Sequence, residues 1–112
     1  MSRNNILHIW KEHHAAIEQG SGGNGNSVDY DLYNGQVNAG SGQQVHGIVG
    51  KPIYATGHGW QNEAGGNYQL APHSPGYDRG TRLNNFNDAY TGAAPDIGAH
   101  EAGTASMQFG RQ

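Results

Sequence analysis

Apolar residues along this chain arrive in short bursts between polar, glycine-rich stretches. Residues 4–19 (NNILHIWKEHHAAIEQ) admit two periods. Ile6, Ile9 or Trp10, His13, and Ala16 or Ile17 fit one face of a helix, with an asparagine before it and Gly20 after it. The competing reading is two strands, Asn5–Trp10 and Ala15–Glu18, with KEHH at the corner between them; periodicity alone favours the helix. Gly20–Ser27 (GSGGNGNS) has no hydrophobe to anchor it and reads as a loop. Val28, Tyr30 and Leu32 can face one side of a strand. Val45–Val49 and, after Pro52, Ile53–Ala55 are further strand candidates. Asn34–Gln44 and Thr56–Gly66 are Gly-rich corners between them.

The stretch from Asn67 to Glu101 organises the rest. It reads NYQLAPHSPGYDRG, a polar run, then APDIGAHE. Tyr68–Leu70 and Ile97–Ala99 are short apolar pieces beside proline turns. Asp78 and Asp96 stand where a carboxylate accepts free backbone N–H groups at a bend. Short strand, polar corner, short strand is the rhythm of a solenoid coil. The spacing is irregular, and about three coils are expected.

These residues resemble the C-terminal end of right-handed parallel β-helix proteins, many of them polysaccharide-active. Tyr68, Leu70, Ser74, Pro75, Asp78, Gly80, Asp96, Ile97, Gly98, Ala99 and Glu101 match the closing pattern of those chains. His73 stands where glycine is common and His100 where an aromatic is usual. Asn4–Leu7, Asp31–Tyr33 and Lys51–Tyr54 extend the resemblance upstream. Such chains often carry an Asn-Asn-Ile strand at the position of Asn4–Ile6, which turns the reading of residues 4–19 from helix to strands. The resemblance implies an all-β fold, a short right-handed parallel β-helix, occupying residues 1–112 as one domain with 102–112 as a tail or cap. A β-sandwich is the alternative, disfavoured by poor alternation and few hairpin signals; Asn34-Gly35 is the exception. The resemblance also implies an extracellular or cell-surface setting.

Composition agrees with a fold of tight corners around a thin core. Ile, Leu, Val and Phe make up 16 of the 112 residues, yet the net charge is only −3 and 13% of residues are charged, which argues against disorder. Nineteen Gly and 11 Asn suit many positive-φ corners, and 12 Ala suit closely stacked coils. A pI of 6.1 without a basic cluster disfavours nucleic acid as a partner. No apolar run is long enough to span a membrane, and no signal-peptide pattern is visible. The absence of cysteine excludes disulfides and thiolate metal sites.

Candidate chemistry is sparse. The seven histidines lack zinc-ligand spacing, and adjacent His13 and His14 would face opposite sides of a strand. Asp29 and Asp31 follow an oxygen-rich run but lack the ligand spacing of a calcium loop, so they read as corner caps. Lys51, Arg79 and Arg82 could neutralise a uronate, with His58 or Tyr77 as base, but nothing in their spacing brings them together. Asp29/Asp31 and Asp78/Asp96 are the carboxylate pairs available for hydrolysis, and the second matches positions of the fold pattern. No catalytic residue, metal site or cofactor is therefore assigned. Trp60 is the sharper signal: an isolated aromatic among His58, Gln61 and Asn62 suits stacking on a sugar ring, with the amides bonding hydroxyls. Trp60 folded back over the core is the competing reading.

Three functions follow. The first is a carbohydrate-binding or structural module without catalysis of its own. The second is part of a polysaccharide lyase or glycoside hydrolase, and the third an assembly element of a phage or cell-surface fibre. A polysaccharide is the expected partner. Ile6, Leu7, Ile9 and Trp10 begin almost at once, so the first coil should present an uncovered apolar edge and a homodimer through residues 4–19. Met107 and Phe109 are candidates to cover the opposite end.

Overall fold

The computed structural model describes residues 1–9, 11, 13–18, 26–38, 42–56 and 68–105. Its regular elements are all strands, and no helix occurs among the described residues. They are β1 (Ser2–Arg3), β2 (Ile6–Leu7), β3 (Ala15–Glu18), β4 (Val28–Asp29), β5 (Leu32–Tyr33), β6 (Gln36–Asn38) and β7 (Ile48–Val49). The described residues of 4–19 thus follow the strand reading, with the expected strand Asn5–Trp10 shortened to Ile6–Leu7 and Ala15–Glu18 as expected; Trp10 lies outside the described residues. Lys11 and His14 make the corner, where the His14 N–H donates to the Lys11 carbonyl at 2.9 Å.

Every pairing between these strands is parallel: β1 with β4, β3 with β6, and β5 between β2 and β7. Ser2 faces Val28 and Ile6 faces Leu32, so a step of 26 residues returns the chain to the same register in two sheets. The chain visits three sheet positions twice, and the middle one a third time.

The corners repeat as well. Asn4 (φ 57°) and Tyr30 (φ 58°) both take the left-handed conformation, between β1 and β2 and between β4 and β5. The Asn4 N–H donates to the Tyr30 carbonyl at 3.0 Å, tying the two bends together. This bend corrects the expected run of Val28, Tyr30 and Leu32 along one strand: Leu32 is fully buried, whereas Val28 and Tyr30 are half-buried. The expected strand Val45–Val49 is likewise shortened to Ile48–Val49. Gln44 (φ 53°) opens a turn through Val45 and His46, and both are exposed.

Asp31 joins all three passes. Fully buried, it accepts at Oδ1 from the Asn5 backbone N–H (2.9 Å) and the Asn5 side-chain amide (3.0 Å). Its Oδ2 accepts from the Ser2 hydroxyl (3.0 Å) and the Gln44 amide (2.6 Å). Ser2 and Asn5 belong to the first pass and Gln44 to the approach of the third. Beside it, the Tyr33 phenol is pushed up, first by burial and then by the Asp31 charge. Asn34 repeats the device on the next corner: its amide accepts from the Ile9 N–H (2.8 Å) and donates to the Ile9 carbonyl (2.9 Å).

A second clasp links the second and third passes. Asp29 accepts from the Tyr30 N–H (2.9 Å), the His46 N–H (2.7 Å) and His46 Nδ1 (2.8 Å). The His46 ring stacks on Tyr30 at 4.4 Å. Burial pushes the Asp29 carboxyl up, but the His46 side chain, these two backbone N–H groups and the His46 charge outweigh it, leaving the group below its usual 3.8.

The remaining chain closes the core. Tyr54 and Leu70 form an antiparallel bridge, flanked by Ala55 N–H to Gln69 O and Ala71 N–H to Ile53 O, both 2.8 Å. The segment from Leu70 to Gly98 then lies across the passes. Leu32, Leu70 and Ile97 are each at most 1% exposed and meet around Gly76, where an added Cβ would come within 3.2–3.3 Å of all three. Ile97–Glu101, expected as a closing strand, instead makes bends, with the Ile97 N–H on the Gly76 carbonyl at 2.9 Å.

At the first pass, the Asn4 amide donates to the Thr81 carbonyl (2.7 Å) and accepts the Thr81 N–H (2.8 Å), and Gly98 N–H donates to the Asn4 carbonyl (2.8 Å). Gly98 has φ 117° and sits so close to Ile6 that a Cβ would lie 2.8 Å from its Cδ1; only glycine fits both constraints. The edge expected to be uncovered is thus partly capped from within the chain.

Full burial of Leu32, Leu70 and Ile97 contributes roughly 1.5–3 kcal/mol each. Such a small core makes the polar ties decisive. Asp31→Ala strands the Ser2, Asn5 and Gln44 donors and is expected to lower unfolding stability by about 3 kcal/mol, read from the urea midpoint. An unchanged midpoint would refute the role of Asp31 as the tie between passes. For Asp29, the lowered folded-state pKa gives a contribution present above pH 3.8 and lost as pH falls through the lower folded value. Asp29→Asn should therefore reduce stability at neutral pH, and the gap from the parent protein should close on the acid side.

Candidate ligand groove and an acidic cluster

The same packing leaves a groove beside the first pass. It has a volume of about 490 Å³ and is walled by β2 with its flanking residues, Tyr54, Tyr68, Phe86 and the Gly98–Ala99 backbone. Each wall follows from a feature of the fold. The parallel register aligns Arg3 to His8 along one side, and the Tyr54–Leu70 bridge delivers Tyr54 and Tyr68 to the other. Gly98, held on Asn4, forms the floor.

An aromatic row runs along this groove. His8 lies 6.2 Å from Tyr54, Tyr54 meets Tyr68 edge-on at 5.8 Å, and Tyr68 lies 6.1 Å from His100. Burial, and then the neighbouring Tyr68, push the Tyr54 phenol up to about 12, so it keeps its O–H as a donor. The Tyr68 N–H donates to His100 Nδ1 at 3.1 Å, which places the ring proton of neutral His100 on Nε2. His100, at a position where an aromatic was expected, is buried and packs as one. Phe86 at the rim is 78% exposed. Arg3 and His8 line the groove, and none of its described lining residues is a carboxylate. The arrangement offers ring faces, amide and phenol hydrogen-bonding groups, and one cationic side chain, Arg3.

On the outer side of the Gly98 bend, three carboxylates converge. One oxygen from each of Asp78, Asp96 and Glu101 lies within 4.8 Å of the others. Asp96, 3% exposed, accepts from the Asp78 N–H at Oδ1 (2.7 Å) and the Ala102 N–H at Oδ2 (2.9 Å). Glu101 accepts from the Thr91 N–H (3.0 Å) and the Asp96 N–H (2.9 Å). Asp96 is therefore the corner cap that the sequence suggested. Asp78 corrects the expectation: its backbone takes the left-handed bend at φ 53°, but its Oδ1 is buried without a hydrogen-bond partner. Burial pushes the Glu101 carboxyl up, and the charges of Asp96 and Asp78 add to this against the two backbone N–H bonds.

Other candidates fall elsewhere. Trp60, His58, Gln61 and Asn62 lie outside the described residues, as do Met107 and Phe109. The stretch that carries Trp60 leaves the described chain at Thr56 and rejoins it at Tyr68, beside the groove. Lys51, Arg79 and Arg82 are exposed and line no part of the groove, and Arg82 pairs with Asp88 at 2.6 Å. His13 and His14 do not alternate across a strand; they sit in a turn, ring to ring at 4.4 Å. Asp29 and Asp31 take structural bonds, in keeping with corner caps.

Sequence reasoning missed two things. Tyr54, Tyr68 and His8 were read as strand residues rather than as one row, and Glu101 was not joined to the Asp78/Asp96 pair. The five-residue spacing of Asp96 and Glu101 was visible, but the turn that folds it back was not. No protein-family model matches the chain, and no curated protein or solved structure matches it.

Proposed function

We propose that this chain is a carbohydrate-binding portion of a right-handed parallel β-helix, without catalysis of its own. Support for the β-helix comes from the parallel pairings, the 26-residue return and the repeated left-handed corner. The observation that carries the binding function is the aromatic row along an open groove. Sugars present C–H faces that stack on tyrosine and histidine rings, and hydroxyls that take amide and phenol bonds. Tyr54 and Tyr68 supply the platform, Asn5 and Arg3 the polar contacts, and Trp60 a further ring from the adjoining stretch. A lyase or hydrolase would need an acid, base or nucleophile facing the groove. His8 and the phenols are the only such groups on its described walls, and no carboxylate pair accompanies them.

A second reading rests on a different surface. Val45 and Val49 are 70% and 72% exposed, and Ile53 is 42% exposed, beside the free edge of β7. Such an apolar end suits stacking of further coils or an assembly role in a fibre.

Two measurements decide between these readings. Intrinsic fluorescence titration against neutral and acidic polysaccharides should report saturable binding, lost or weakened at least tenfold in Tyr68→Ala and weakened in Trp60→Ala. Binding that survives both changes, or no binding to any glycan, removes the proposal. Light scattering on the 112-residue chain tests self-association. The homodimer through residues 4–19 would use the part of the first-pass edge not covered by Thr81 and Gly98. A monomer at micromolar concentration would mean that this internal cap is sufficient.

A further inference from the structure

We propose that Asp78, Asp96 and Glu101 form a binding site for one divalent cation of the calcium type. The site is distinct from the groove and does not depend on what the groove binds. Two observations carry it. The first is the convergence of three carboxylates, one oxygen from each within 4.8 Å of the others. Calcium takes oxygen ligands at about 2.3–2.6 Å, so ligands on opposite sides of the ion stand up to about 5 Å apart. Magnesium, at about 2.0–2.1 Å, requires them within about 4.2 Å and in strict octahedral geometry. Oxygens gathered within 4.8 Å need close in only slightly around a calcium ion, whose variable coordination tolerates that adjustment better than the rigid octahedron of magnesium.

The second observation is the unpartnered oxygen. Four carboxylate oxygens of Asp96 and Glu101 each accept one backbone N–H, which leaves each with further acceptor capacity. Asp78 Oδ1 accepts no hydrogen bond from the protein, although this atom is buried and belongs to a carboxylate of the cluster. A buried carboxylate oxygen in that state is costly unless something positive faces it. Among the described residues, the hydrogen bonds that Asp96 and Glu101 accept come from backbone N–H groups and none from a lysine or arginine. The Asp78 carboxylate is also held in place. Its backbone is fixed in the left-handed bend, and Gly92 approaches so closely that a Cβ there would overlap the carboxylate. A cation at this point supplies the missing partner of Asp78. It also joins the Asp78 turn to the Asp96–Glu101 bend, next to core residue Ile97.

Thermal unfolding of the full chain, first stripped with EDTA and then titrated with calcium chloride or magnesium chloride, tests the site. Calcium should raise Tm by several degrees, saturating at one ion per chain in isothermal titration, with magnesium at the same concentration giving less than half the shift. Asp78→Asn and, separately, Glu101→Gln should each weaken calcium binding at least tenfold while unfolding cooperatively without calcium. Two variants are used because one of them could fail to fold. A Tm indifferent to calcium would overturn the proposal, as would a shift of equal size in a folded variant or magnesium acting as well as calcium.

Discussion

One buried carboxylate holds the three passes in register. Asp31 receives four hydrogen bonds, from donors that arrive on the first pass and on the approach to the third. A carboxylate with no exposure is tolerated only when its lone pairs are occupied, so Ser2, Asn5 and Gln44 are fixed by the same requirement that keeps Asp31 in place. The strands themselves are two to four residues long and could not hold their pairing alone. The polar knot therefore precedes the sheets in importance. Asn34 on Ile9 and Asp29 on His46 repeat its logic at neighbouring corners.

Given that frame, the apolar core needs only a few side chains. Leu32 comes from the sheet, and Leu70 and Ile97 come from the closing segment, with Gly76 letting them meet. The same closing segment builds both candidate sites. Its approach through the Tyr54–Leu70 bridge sets Tyr54 and Tyr68 against His8, while its far side folds Asp78, Asp96 and Glu101 together. Core closure and site formation are one event in this chain.

How much of this was legible in the residues varies with the kind of signal. Leu32–Tyr33 was readable as a strand from its β-prone residues between polar corners, whereas Ile6–Leu7 and Ala15–Glu18 were not, because their apolar positions also fit a helical face and only the resemblance to β-helix chains turned the reading. The left-handed turn at Tyr30 was not readable, since a bulky residue rarely takes positive φ and tertiary bonds to Asn4 impose it. Asp96 was recognisable as a cap from its proline context. Asp78 looked the same in sequence, yet its oxygen accepts no bond, because the turn around it directs the N–H groups to Asp96. The groove escaped sequence reading because its residues lie at positions 3–8, 54, 68, 86 and 98–99. Only the long-range closure makes neighbours of them.

That closure also governs when the fold can form. Asn4 bonds Thr81 and Gly98, so it waits for partners that follow it by 77 residues or more. Parallel pairing between the first and second passes can begin early. The cover over Ile6 cannot be placed until Gly98 has been made, and closing so long a loop is slow. During synthesis the nascent chain therefore carries bare strand edges and an unroofed Leu32 until Leu70 and Ile97 have followed it. The glycine-rich stretches between the strands, with their asparagine, serine and glutamine side chains, keep it solvated through that interval.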